Sequence, residues 1–207
     1  MSKSIKSKFL ALDFETANYN SDSACSIGLV RVENQKIVES VSHFIKPPSN
    51  HFVLSYIHGV SWKDVAKEKS FGELWSKIKY LFEDIDFLIA HNIGFDKKVL
   101  HACCDTYKVK LPELDYKCTM KLSRDLWQLR PTKLSDVCSH FKIKLNHHEA
   151  LSDALGCAQI MIQAEKHLNA VPIKVSVKKA TSKTLLGKTA FKSSSPRKKN
   201  PLGEAEL

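Results

Sequence analysis

The sequence predicts an α/β domain, a mixed β-sheet with helices on its faces. Three observations predict it. The first third is rich in Val and Ile and reads as a meander of strands. Apolar residues later recur at spacings of three and four, the period of amphipathic helices. Short apolar runs alternate with those helical stretches, and a meander followed by alternating helix and strand implies a mixed sheet covered by helices.

Taken in order, Lys8–Phe14 is an apolar strand. Cys25–Glu33 (CSIGLVRVE) and Lys36–Ile45 (KIVESVSHFI) are joined by the short turn Glu33–Asn34–Gln35. Pro47–Pro48 ends the third strand, because proline has no N–H to give a ladder. Phe71, Leu74, Trp75, Ile78, Leu81 and Phe82 mark an amphipathic helix. Phe87–Ala90 (FLIA) is wholly apolar and suits a central buried strand. Phe95–Tyr107 reads as helix and Tyr116–Thr119 as a short strand. Helices Thr119–Trp127 and Leu134–Phe141 follow, the second announced by Pro131–Thr132. A long helix, Ala150–Leu168, carries Leu151, Leu155, Ala158, Ile162 and Leu168 and closes a domain spanning 1–170. Beyond Ala170 the composition shifts to Lys, Ser, Thr and Pro, so 171–207 is expected to be a disordered basic tail.

The chain has 207 residues, 43% of them hydrophobic, enough for one sizeable core with a remainder. No apolar run approaches the roughly 18 residues of a membrane span. The start, MSKSIKSKF, runs into a strand without an apolar signal core, so a cytoplasmic protein with no membrane partner is expected. None of the six cysteines (Cys25, Cys103, Cys104, Cys118, Cys138, Cys157) forms a CxxC pair, which argues against a zinc ribbon and for reduced thiols packed in the core. The net charge of +10 suggests a polyanionic partner such as nucleic acid. Most of it lies in 171–207, where nine Lys/Arg face only Glu204 and Glu206.

Three stretches carry candidate chemistry. "ALDFETAN" places Asp13 and Glu15 one residue apart, hence on one face of a strand and roughly 7 Å apart. Two like charges there resist desolvation unless a cation sits between them, and hard divalent ions suit carboxylate oxygens. "AHNIGFD" brings Asp96 to the first turn of a helix. "HHEALSDA" places His148 five residues before Asp153, about 140° apart on a helix, so His148 must come from the preceding loop or first turn. Each stretch also has a plain structural reading: a solvated strand end, a cap-like acid in a first helical turn, a solvated surface histidine.

Together, in this order and on these elements, the stretches resemble the DEDDh 3′–5′ exonucleases, the family of the epsilon proofreading subunit of bacterial DNA polymerase III. The resemblance runs from about Phe9 to His167 and takes in DFETAN, CSIG, the Gly59 turn (YIHGVSW) and Cys118–Thr119 on a late strand. It implies an RNase H-like fold, a five-stranded mixed sheet flanked by helices. It implies that Asp13, Glu15, Asp96 and Asp153 hold two divalent cations, Mg²⁺ or Mn²⁺. Asp13 would bridge both, Glu15 and Asp153 would complete the first site, and Asp96 would serve the second. His148 would be the general base, with His147 its rival in the doublet. Thr16 and Phe14 would lie near the terminal nucleotide, while Asn92 and Phe95 would shape the wall of the site.

A pair of cations about 3.5–4 Å apart neutralises a phosphodiester, orients the attacking water and stabilises the leaving oxygen. Histidine's reference pKa of about 6.5 suits proton removal near neutral pH. The resemblance therefore implies hydrolysis from a free 3′ end with release of 5′-mononucleotides, single-stranded DNA being favoured and RNA the alternative. A third reading is a non-catalytic nucleic-acid-binding or polymerase accessory module, although all five family positions are filled here. The tail would lend electrostatic grip or tether a polymerase or replisome partner.

Overall fold

Three antiparallel strands begin the domain in the computed structural model, which describes residues 6–170. The tail 171–207, its tethering or gripping role, and the boundary expected at 170 lie outside the described residues. The strands are β1 (Lys8–Thr16), β2 (Ala24–Glu33) and β3 (Lys36–Phe44). Asn34 and Gln35 join β2 to β3, both at positive φ (52° and 66°). That geometry suits a two-residue hairpin because its twist matches the paired strands. Two further strands, β4 (Phe87–Ala90) and β5 (Asp115–Cys118), add in parallel on the other side of β1, giving the order β3-β2-β1-β4-β5.

Side-chain alternation along β1 divides the core. Leu10, Leu12 and Phe14 face α3 (Phe71–Ile78) and α4 (Gly94–Tyr107), where Phe71, Leu74, Val99 and Leu100 are buried. Phe9 and Ala11 face the other way, toward α6 (Leu134–His140) and α7 (Ala150–Ala170). The remaining helices are the single turns α1 (Ser55–His58) and α2 (Trp62–Val65), and α5 (Thr119–Trp127). A sheet covered on both faces is what the RNase H-like expectation required, and it is observed.

Several local expectations are corrected. β1 runs two residues past Phe14, because Glu15 and Thr16 still pair with Ser26 and Ala24. Both candidate carboxylates are therefore strand residues. The helix expected through Phe82 is α-helical only to Ile78 and tightens into a 3-10 turn over Lys79–Phe82, with Leu81 and Phe82 still buried. β5 ends at Cys118, and Thr119 opens α5. In α7 the expected stripe is only partly the inward line: Ala158 and Ile162 are buried, but Leu168 is exposed and Leu151 and Leu155 are half-buried. Small residues (Ala154, Cys157, Ala158) are buried where the helix starts, Gly156 meets Cys138, Leu134 and Leu145, and Ile160, Met161 and Ile162 continue the buried face. All six cysteines are free, five buried and Cys118 half-buried.

Candidate active site

The β1–β4 pairing ends at Ala11 and Ile89, so Asp13 and Glu15 project beyond the end of β4. This is the C-terminal edge of the parallel strands, where open α/β sheets bind ligands. Alternation puts both carboxylates on the side of β1 that faces α7.

Asp153 arrives through a close approach of helix to sheet. Gly28 of β2 sits opposite Asp13 in the ladder. A Cβ at Gly28 would stand 2.2 Å from the backbone oxygen of Ala150, the first residue of α7. Only a residue without a side chain lets the helix begin there, and Asp153 lies in its first turn. Asp96 arrives from the first turn of α4 and is 1% exposed. Its Oδ1 accepts the backbone N–H of Phe14 at 3.0 Å, which ties it to the strand residue between Asp13 and Glu15.

Asp13, Glu15 and Asp153 each offer an oxygen within 4.8 Å of the others. Burial, reinforced by Asp96, Asp153 and Glu15, pushes Asp13 well above the usual carboxylate range. Burial and then the charges of Asp153 and Asp96 push Glu15 up to about 8. Burial lifts Asp96 to about 8 against the opposing hydrogen bond from Phe14. Asp153 is raised by burial and held back by His147 and His148. Its Oδ1 is buried and has no hydrogen-bond partner. Clustered acids that cannot all ionise, one with an orphaned oxygen, fit a divalent cation. The set around Asp13 is all oxygen, which suits a hard ion.

Asp13, Glu15 and Asp153 open into a cleft of about 530 Å³, while Asp96 stays buried and is not among its lining residues. Thr16 lines it although it is 5% exposed, and Phe14, 2% exposed, meets it while packing mainly in the core. Phe95 stands exposed at its margin. Asn92 is not among the lining residues. It holds a left-handed turn (φ 65°) whose carbonyl accepts the N–H of Phe95. His147 and His148 come from the loop before α7, both exposed and lining the cleft, with His148 at φ 67° and the rings stacked at 3.9 Å.

Other lining residues were not legible as site residues: Tyr19, Ile57, His58, His91 and Lys133. His58 Nδ1 accepts the N–H of Val60, so Nε2–H donates to the Thr16 carbonyl at 3.1 Å. His91 joins Thr119 through Nδ1 (2.8 Å) and the Thr132 carbonyl through Nε2 (2.9 Å). Burial lowers the pKa of both, which keeps them neutral structural ties. The threonines they bond are 28 to 42 residues distant, so no local pattern marks them.

The family model described as "Exonuclease" matches residues 10–161, most of the chain. The chain belongs to this exonuclease family. It is 30% identical over 179 residues to a DNA polymerase III PolC-type of Caldanaerobacter subterraneus subsp. tengcongensis, a match covering 83% of this chain and 12% of the polymerase. It is 29% identical over 163 residues to Exodeoxyribonuclease 10 of Escherichia coli K12, covering 73% of this chain and 66% of that protein. The chain thus spans about an eighth of the polymerase and two-thirds of the exodeoxyribonuclease. A solved structure, Exonuclease X in complex with 5′ overhanging duplex DNA, superposes with a TM-score of 0.61 at 26% identity, covering 76% of this chain and 91% of that one. No helix among the described residues is long and apolar enough to cross a membrane.

Proposed function

We propose that this exonuclease domain hydrolyses the terminal phosphodiester at nucleic-acid 3′ ends, with single-stranded DNA as its preferred substrate and 5′-mononucleotides as products. One observation carries the reading: acids from β1 and α7 (Asp13, Glu15 and Asp153) gather at the strand edge, with Asp96 of α4 bonded to the strand that holds Asp13 and Glu15. The 26–31% identical relatives named for DNA favour DNA over RNA. The polymerase relatives favour a proofreading or repair role.

Asp13, Glu15 and Asp153, with Asp96 behind them, would hold two Mg²⁺ or Mn²⁺ ions. Such ions supply charge neutralisation for the phosphodiester, a polarised water and stabilisation of the leaving oxygen. His148, on the exposed loop at the cleft, takes the proton of the attacking water. Tyr19 (83% exposed) and Phe95 (45% exposed) present apolar rings at the cleft on which a terminal base can stack.

The test is a set of 5′-labelled DNA and RNA oligonucleotides incubated with Mg²⁺ or Mn²⁺. Stepwise shortening from the 3′ end, faster on DNA and abolished by EDTA, is expected. Turnover unaffected by EDTA would refute the cation-dependent reading, and faster RNA shortening would transfer the substrate to RNA. His148→Ala should lose about 10²–10⁴-fold in rate. A variant within a few-fold of wild type would remove His148 from the base role.

A further inference from the structure

The two oxygens of Asp153 have different surroundings. Oδ2 receives His147 Nδ1 at 2.9 Å and the backbone N–H of His148 at 3.3 Å. Oδ1 is buried and receives nothing. From this asymmetry we infer that His147 is a positioning residue, which occupies Oδ2 so that Oδ1 is presented as the cation ligand. The inference rests on the proposed function and gives the two histidines different roles. The first ring orients a ligand, and the second is left to handle the proton.

The geometry supports that division. Asp153 sits in the first turn of α7 and is 3% exposed. A carboxylate there with both oxygens unpartnered could turn about its terminal bond, since that torsion is broad. A hydrogen bond to one oxygen stops the rotation and spares the ion the ordering of its ligand. With an ionised carboxylate as acceptor, His147 Nδ1 must carry the proton. The ring lies 3.9 Å from that of His148, at 18° between planes, and the Nδ1 bond to Asp153 rather than this stack fixes the carboxylate. His147 Nδ1 or Nε2, a nitrogen of His148 and an oxygen of Asp153 also lie within 4.8 Å of one another, so direct ligation by imidazole is the competing arrangement.

The variants His147→Ala and His147→Asn distinguish the two, with Mn²⁺ binding measured by calorimetry on the full chain without nucleic acid. An asparagine amide can stand where Nδ1 stands, donating one hydrogen bond. The expected result is a 10–100-fold weaker Mn²⁺ affinity for His147→Ala. His147→Asn should return to within a few-fold of wild type, and His148→Ala should bind Mn²⁺ normally. Wild-type affinity in His147→Ala overturns the inference, as does an Asn variant as weak as Ala or a His148→Ala variant equally weakened. Melting curves recorded alongside verify that each variant is folded, and an unfolded Ala variant leaves the comparison of Asn with wild type to decide. A wild-type protein that neither binds Mn²⁺ nor shortens oligonucleotides overturns the proposed function itself, a separate result.

Discussion

Two helices each deliver one carboxylate to the cluster, and they hold it by different means. Asp96 of α4 is bonded to a backbone N–H inside the sheet, that of Phe14. Asp153 of α7 is bonded to a half-exposed imidazole and a loop N–H just before its own helix. The first arrangement cannot change without disturbing β1. The second depends on a few loop residues. Removing either acid should abolish catalysis, but the consequences for the fold should differ.

That contrast gives the largest expected effects. Asp96→Ala and Asp153→Ala should both reduce exonuclease turnover to background. In the metal-free protein, Asp96→Ala also leaves the buried Phe14 N–H unpaired, a cost of about 1–3 kcal/mol, and Asp96→Asn should recover most of it. Asp153→Ala should melt no lower than wild type, because it removes a crowded charge and leaves His147 free to meet water. Identical melting of the two alanine variants would dissolve the distinction.

The next effect concerns the approach of α7. Gly28→Val puts side-chain atoms where the Ala150 backbone lies, within 2.2 Å of the required Cβ. The helix start must retreat from β2, carrying Asp153 away from Asp13. Turnover should fall by orders of magnitude and Mn²⁺ affinity with it, while Asp96 keeps its bond to Phe14. Retained Mn²⁺ affinity in a folded Gly28→Val protein would show that α7 is not set by this contact.

The smallest effect is on stability against pH. Glu15 and Asp96 are held up near 8, so the native protein keeps protons that the unfolded chain releases from its ordinary carboxylates. Their contribution is present below the unfolded values, is lost as pH rises toward 8, and is constant above. Thermal melts without metal should therefore fall from pH 5 to pH 8 by more than in a Glu15→Gln variant. Divalent cations should raise Tm more at pH 8 than at pH 5. An equal rise at both values would mean the acids do not compete with protons for the ion.

Much of this was legible in the chain itself. The strand meander, the FLIA strand and the helices after it follow from periodicity, which is a local property. Asp13 and Glu15 declared their shared face because strands alternate every second residue. His147 was visible only as one of a pair, because nothing in "HHEALSDA" says which ring turns toward Asp153. His58 and His91 carried no local mark, since Thr16, Thr119 and Thr132, to which they bond, are distant in sequence. The leucines of α7 misled for a related reason: which residues turn inward depends on the packed neighbours, which bury Ala154, Cys157, Ala158, Ile160 and Met161 and leave Leu151 and Leu155 half-buried.

The sequence by itself determined the elements, their order and the acids among which an ion could be held. These depend on backbone geometry, polar spacing and the family pattern, all readable along one chain. Only the tertiary structure decided how near the acids come, which oxygen of Asp153 stays unpartnered and which histidine restrains it. Those outcomes depend on distances between segments, and a missing Cβ at Gly28 sets one of them from the opposite strand.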